Sequence, residues 1–453
     1  MIITIPALFV PERTYIIQQL VGDMLGLPYQ LVVDNDKDQS PYIRFALSNG
    51  SSLYIRDAFF AQYEDGLSYL SADTSQLHVS YANSRFAPEG DLPVWFGRGE
   101  WRVDGGDLYC EADLLAACFF MLTRWEECAN IRDRHERFPS SGSLAVRSRF
   151  WQRPVVNEMA EMLWNMLIEV GLEAERTNRP SELIVTHDVD ELRYWDGMKR
   201  LIRSMARGLA SLSPLAPIRS MQEYIQVKSG RCADPYDTFD WLMDLSEQAG
   251  VQSRFYFMAG GTTFYDNRYD VRGELACSVL KRVRERGHIV GFHPSYDAYC
   301  NEELFLQEKE RLQEAAGCVV TEGRHHYLRF RVPDTWGIWE RAGMKIDSTI
   351  GYADEIGFRS GICHSYRVFD IHARKPLSLQ ELPLTAMEVS LGGYQGLEPA
   401  QMFEQMNNLL GVVHRYRGQF VLLWHNSNIR NSFWKPYANY YHSFVIQGGC
   451  PIG

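Results

Sequence analysis

The stretch Leu183-Ile184-Val185-Thr186-His187-Asp188-Val189-Asp190 begins as an apolar, β-branched run and ends in a histidine and two carboxylates one residue apart. A strand that is buried along its length has no packing reason to end in charge. In parallel α/β architectures the C-terminal ends of strands open into a mouth, and catalytic groups collect there. Asp188 and Asp190 share parity, so an extended backbone projects both to one side, about 6 to 7 Å apart along the strand. That placement suits a metal ligand and a general base at one site. The plain alternative is a strand end that only caps the element after it.

Downstream of this stretch the chain alternates helix with strand. Helical spacing over Phe239 to Ala249 leads to Ser253–Met258, and Glu274 to Arg286 leads to Ile289–His293. Glu302 to Ala316 leads toward Tyr327–Arg331, and Thr335 to Ala342 toward Met344–Asp347. Leu379–Leu384 reads as a further strand, and the helix Pro399 to Tyr416 feeds Phe420–His425. This rhythm predicts parallel strands with crossover helices, about seven strands in all. Three predicted strand ends carry chemistry: Thr186–Asp190, Gly291–Asp297 and Leu422–Asn426.

Upstream, residues 1 to about 175 hold no catalytic signature. Tyr42–Leu47 and Ser52–Ile55 alternate like half-buried strands, and Glu111 to Glu127 and Val155 to Val170 read as two helices, the first mostly buried. These predict an α+β accessory domain, joined by a linker at Thr177–Pro180. Arg124, Glu126 and Glu127 read as an ion network at a helix end rather than a site. Between the first strand and Asp237, Lys199 to Arg207 forms a basic amphipathic helix, either a solvated face or a surface for anionic lipid.

Composition narrows the function. A formal net charge of -11 argues against a general nucleic-acid binder. Nine cysteines, odd in number and never in a C-x-x-C pair, predict thiols rather than a disulfide frame or a cysteine zinc site. No apolar run has the length of a membrane span, and Met1–Pro6 lacks a charged leader, so the expectation is a cytoplasmic protein without stable membrane insertion. An aromatic content of 13% suits either a large core or a cleft for sugar rings. Oligomeric state is not readable.

The order of the motifs resembles the polysaccharide deacetylases with the NodB-homology domain, carbohydrate esterase family 4, over roughly residues 180 to 427. The resemblance rests on the Asp-x-Asp at 188 and 190, Gly-His-x-x-Gly-x-His at 287 to 293, an arginine-bearing segment near 329, and Leu-Leu-Trp-His at 422 to 425. His-Asp-Val-Asp, Phe-His-Pro-Ser-Tyr and Trp-His-Asn look like a divergent branch associated with surface polysaccharides, in which an N-terminal extension is usual. It implies a NodB-like distorted (β/α) barrel of about seven parallel strands over 179–453, behind an accessory domain over 1–178.

The resemblance further implies that Asp188 is the general base, Asp190 and His293 are ligands of a divalent metal, most readily zinc, and His425 is the general acid. It assigns Arg329, with Arg331 as second choice, to orienting the base. There are departures. The family's second metal histidine falls here on Asp297, which leaves Asp297, His326 and His187 as candidates for the third ligand. The family's Arg-x-Pro-Tyr is here Arg331-Val332-Pro333-Asp334. The implied activity is removal of an N-acetyl group from an amino sugar of a surface polysaccharide or its precursor. Two alternatives remain: a C–N hydrolase of small non-sugar amides, and a carbohydrate-binding or assembly protein without turnover. The long loop from 351 to 370, with Asp354, Arg359 and His364, is expected to reach the sugar.

Overall fold

The structure, a computed structural model, describes residues 1–35, 40–129, 131–176, 179–210, 215–266 and 269–449. Thr177 and Asn178 of the expected linker lie outside them. The chain divides into two compact units that interleave in sequence. One comprises 1–182, 327–386 and 408–421; the other comprises 183–326, 387–407 and 422–453.

The first unit opens with β1 (Ile2–Pro6), α1 (Val10–Ile17), β2 (Gln30–Asp34), β3 (Tyr42–Ala46) and β4 (Ser52–Arg56). It continues with β5 (Ser80–Asn83), β6 (Asp91–Val94), β7 (Gly97–Asp104), β8 (Asp107–Ala112), α2 (Leu114–Thr123), α3 (Leu144–Arg147) and α4 (Val155–Glu169). Six strands form a mixed sheet in the order β2-β1-β3-β4-β8-β7, with β1/β2 and β4/β8 parallel. The alternation at Tyr42–Ala46 is realised as β3, with Ile43 and Phe45 buried.

The single helix expected from Glu111 to Glu127 is shorter than its apolar run. Residues up to Ala112 pair as a strand, and Asp113 then caps α2 by accepting the Ala116 N–H at 3.0 Å. Its other oxygen takes the N–H groups of Ala58 and Phe59 at 2.8 and 2.9 Å, so one carboxylate ties strand, loop and helix together. At the other end Arg124 turns left-handed at φ 51°, which stops the helix. The apolar content is real, since every residue of α2 is buried, but hydrophobicity does not encode the break.

The second unit contains most of β9 (Glu182–Val189), followed by α5 (Met198–Ala210), α6 (Ala216–Lys228), α7 (Phe239–Gln248) and β10 (Arg254–Phe257). Next come α8 (Glu274–Glu285), β11 (Ile289–Phe292), α9 (Glu302–Ala316) and β12 (Glu322–Gly323). The chain then returns to the first unit with α10 (Asp334–Arg341), β13 (Ile346–Asp347), β14 (Tyr366–Asp370) and β15 (Lys375–Glu381), where β14 and β15 are antiparallel and β13 and β15 parallel. The last elements are β16 (Ala386–Met387), α11 (Pro399–Arg415), β17 (Gln419–Leu423) and α12 (Ala438–Gly449).

In the second unit the strands run in the order β12-β11-β10-β9, and β12/β11, β11/β10 and β10/β9 are parallel. The helix-then-strand alternation therefore does give parallel pairing, within a fold whose sheets are mixed. The strand expected at Tyr327–Arg331 is not formed. Tyr327 and Leu328 both take positive φ, 60° and 53°, which breaks an extended run, and the strand beside β11 is instead Glu322–Gly323. Gly323 is required by close approach: a Cβ there would sit 1.9 Å from the Phe292 carbonyl oxygen.

The first unit also absorbs residues that the sequence left as site candidates. Arg124 donates to Glu127 at 2.9 Å and pairs with Glu126, and Arg359 donates to Glu127 at 2.9 and 2.6 Å, all of them buried. Arg359 also donates to the Gly351 carbonyl at 2.7 Å. His364 contacts Asn157 at 2.9 Å and the Arg417 carbonyl at 3.0 Å, and Ser140 donates to Asp354 at 2.8 Å. The 351–370 loop is thus held by ion pairing and packing inside this unit. The described cysteines are all free thiols; Cys450 lies outside the described residues.

Removing one member of the buried network leaves guanidinium charge without full compensation. Glu127→Ala is expected to lower stability by about 3–5 kcal/mol, read from urea unfolding at neutral pH.

Candidate active site

Strand β9 carries its last apolar side chain at Val189, after which the backbone bends at Asp190. Four groups from other strand ends and loops of the same unit meet Asp188 and Asp190 there. His293 follows β11 directly, Arg324 and His326 follow β12, and His425 follows β17. Parallel strands end in register at one edge, so residues far apart in sequence become neighbours without long loops.

The Asp190 carboxylate is central. Its Oδ1 lies 3.3 Å from His293 Nε2 and 3.6 Å from His326 Nε2, and its Oδ2 lies 3.7 Å from His425 Nε2. Burial works to raise its pKa, but His326, His293 and His425 outweigh this and hold it well below the usual carboxylate range. His293 Nε2 is also 3.8 Å from Asp188 Oδ2, while its Nδ1 sits 2.6 Å from the Arg324 carbonyl oxygen. That second contact fixes the ring, with Nδ1 as donor and Nε2 left facing the carboxylates.

One donor atom each from Asp190, His293 and His326 lies within 4.8 Å of the others. His293 Nε2 and Asp190 Oδ1 are buried and, 3.3 Å apart, have no other hydrogen-bond partner among the described residues. Two imidazole nitrogens and a carboxylate around one point are a donor set for a borderline divalent ion such as zinc. The residues present therefore fit a metal. Asp297 is exposed on the turn before Ala298–Cys300 and is not part of this group. His187, the other candidate, is fully buried with Nδ1 2.7 Å from the Trp424 carbonyl oxygen and its ring against Phe255, and burial lowers its pKa to about 4. It serves the packing between β9 and the end of β17.

The arginine on Asp188 is Arg324. Its Nη1 donates to Asp188 Oδ1 at 2.9 Å and to Thr186 Oγ1 at 2.8 Å, and its guanidinium lies over the Tyr256 ring, 5.2 Å from the centroid. Arg329, the expected partner, is grouped in the first unit and directs Nε to the His135 carbonyl at 2.9 Å. The displacement follows from the missing strand at 327–331: the left-handed turn at Tyr327 and Leu328 takes the chain out of line with β12. The sequence did hold a cue, since Arg324 has the parity of His326 immediately after a strand-ending glycine.

Glu388 was not singled out from the sequence. It is fully buried and accepts from His425 N at 2.9 Å and Asn428 Nδ2 at 2.8 Å, with His425 Nδ1 2.6 Å away. Burial works to lower the His425 pKa, but the carboxylates of Glu388 and Asp190 overcome it and push it up to about 10. These carboxylates favour the protonated ring, with Nδ1 placed to donate to Glu388 and Nε2 facing Asp190. A carboxylate that far from its histidine in sequence carries no local signature.

These features stand beside three comparisons with known proteins. A family profile described as a family of unknown function (DUF7033) matches residues 1–171. A search of the curated proteins gives no match. Among solved structures, a protein titled as a polysaccharide deacetylase from Mycobacterium smegmatis is similar at 16% identity and a TM-score of 0.40, covering 61% of this chain and 87% of its own. The catalytic domain of a peptidoglycan N-acetylglucosamine deacetylase from Eubacterium rectale is similar at 11% identity and a TM-score of 0.29, covering 60% and 89%. A CE4-family pseudoenzyme from Bacillus anthracis is similar at 11% identity and a TM-score of 0.29, covering 59% and 62%. The structural neighbours at low identity thus include both polysaccharide deacetylases and a pseudoenzyme.

Two measurements test the geometry. Elemental analysis of protein purified without chelator should find metal lost in His326→Ala, as in Asp190→Ala and His293→Ala, but retained in Asp297→Ala. In metal-free protein, NMR titration of the His425 ring should show its pKa falling toward the ordinary histidine value in Glu388→Gln, because the neutral amide no longer favours the imidazolium.

Proposed function

We propose that the chain is a metal-dependent hydrolase that removes an N-acetyl group from an amino sugar of a surface polysaccharide or its precursor. The observation that carries this reading is the convergence of Asp188, Asp190, His293, His326 and His425 at the strand ends of one unit, with a buried partner for both the base and the acid. The reading keeps the family resemblance, places a NodB-like barrel over 179–453 behind an accessory domain over 1–178, and puts the protein in the cytoplasm.

Asp190, His293 and His326 would hold the ion. When bound there, a divalent ion supplies positive charge for the amide carbonyl oxygen and acidifies water. Asp188 takes the proton of the attacking water, and Arg324, fixed by Thr186, holds the receiving carboxylate in one orientation. His425 gives its Nε2 proton to the leaving nitrogen, and Glu388, accepting from Nδ1–H, orients the ring and favours its charged form before that transfer. Asp188 and His425 thus act from different strand ends, β9 and β17, which a binding module has no use for.

The test is release of acetate and free amine from N-acetylglucosamine oligomers. Asp188→Asn and His425→Ala are each expected to lower kcat by about 10²–10⁴-fold while metal content stays near that of the wild type. Turnover of small cyclic amides without turnover of sugars would favour the non-sugar hydrolase. A fully loaded site that binds acetylated sugars without releasing acetate would favour the binding protein.

A further inference from the structure

Immediately after Asp190 and Glu191 the chain leaves the site as a helical hairpin, α5 and α6, which the hydrolase reading does not use. The two helices lie against each other, with the Ser204 and Ser220 hydroxyls 2.9 Å apart. Helical spacing of about 100° per residue puts Ile218, Met221 and Ile225 on one face of α6. All three are exposed, from 37% to 54%, and α6 has no buried residue at all. On α5, Met198 and Ile202 share a face and are 56% and 62% exposed, and Leu215 before α6 adds another exposed apolar side chain. A soluble surface does not normally gather this many large apolar side chains on one small element.

The charges around this face are predominantly basic. Residues 198–231 carry seven lysines or arginines and one glutamate, a net +6 within a chain of formal net charge -11. On α6, Arg219 flanks the apolar stripe on one side and Lys228 on the other; on α5, Lys199, Arg203 and Arg207 are exposed beside it. Apolar stripes bordered by basic residues match a bilayer interface, where the stripe enters the acyl boundary and the cations meet anionic headgroups. A second copy of the same face would bring like charges together.

We propose that the α5–α6 hairpin is a docking element for the surface of an anionic lipid bilayer. It is peripheral: among the described residues no helix is long and apolar enough to cross a membrane. A cavity of about 310 Å³ at its base, lined by Glu191, Trp195, Arg200, Lys228 and Tyr269, adjoins the strand end that carries Asp190. The docking element thus shares a cavity with the residue next to Asp190. Resting on the hydrolase reading, this points to an amino sugar attached to a membrane lipid as the substrate class.

The test is flotation of the full chain with vesicles of phosphatidylcholine alone or with about a quarter phosphatidylglycerol. The expected result is flotation with the anionic vesicles only, weakened by about 0.5 M salt. Ile218→Asp/Ile225→Asp and Arg203→Ser/Arg207→Ser should each reduce it by about tenfold or more, with circular dichroism unchanged. Asp190→Asn should float as the wild type does, which separates docking from the hydrolase reading. Equal recovery with neutral and anionic vesicles would overturn the proposal. So would a stable dimer in gel filtration that Ile218→Asp/Ile225→Asp converts to monomer, which would assign the face to a second copy.

Discussion

Asp188 is almost wholly buried at the end of a parallel strand, and burying a charged group is costly unless it is paired. Arg324 provides the partner at 2.9 Å, itself inaccessible to solvent. The requirement propagates outward. For the guanidinium to reach Asp188, β12 must run close against β11, which is why position 323 has no room for a side chain. The Arg324 carbonyl then receives His293 Nδ1, so the residue that compensates Asp188 also orients the His293 ring. Breaking such a pair on one side leaves a buried charge, a cost of about 3–5 kcal/mol that is felt by the whole arrangement.

Around that pair the histidines are differentiated by their second partner. His187 faces a backbone carbonyl and an aromatic ring, and burial keeps it neutral. His293 also has a carbonyl at Nδ1, yet its Nε2 faces two carboxylates, and their charges outweigh burial. His425 has a carboxylate where the others have a carbonyl, and it holds a proton well above neutrality. Identical side chains at strand ends of one unit thereby differ in environment, and the proposed mechanism gives them packing, metal-donor and proton-donor parts. The electrostatics of the acyl-transfer reading rest on this separation.

The first unit shows the same need for compensation. Arg124, Arg359, Glu126 and Glu127 are buried together and pair with one another, and Arg359 ties the loop from 351 to 370 into that network. The α5–α6 hairpin is the opposite case, with cations and large apolar side chains left in solvent. Uncompensated apolar surface next to predominantly basic charge indicates a surface that is finished by something outside the chain.

Local pattern in the sequence was enough for the helices of the alternating region from Phe239 onward and for the parallel pairing around β9, and it placed Asp188, Asp190, His293 and His425 at or just past the ends of buried strands. It was also enough to nominate His326. Three features were decided only in the tertiary structure. Arg324 rather than Arg329 bonds Asp188 because two left-handed residues end the extended run that periodicity suggested. Glu388 bonds His425 although nothing nearby in sequence marks it, since the contact forms through space between separate strand ends. Asp297 sits in the sequence position of a ligand, yet the chain turns after Tyr296 and leaves it exposed. Side-chain period determines which way a residue points within one element; which charges share a buried volume depends on how elements end and turn, and that is settled by packing.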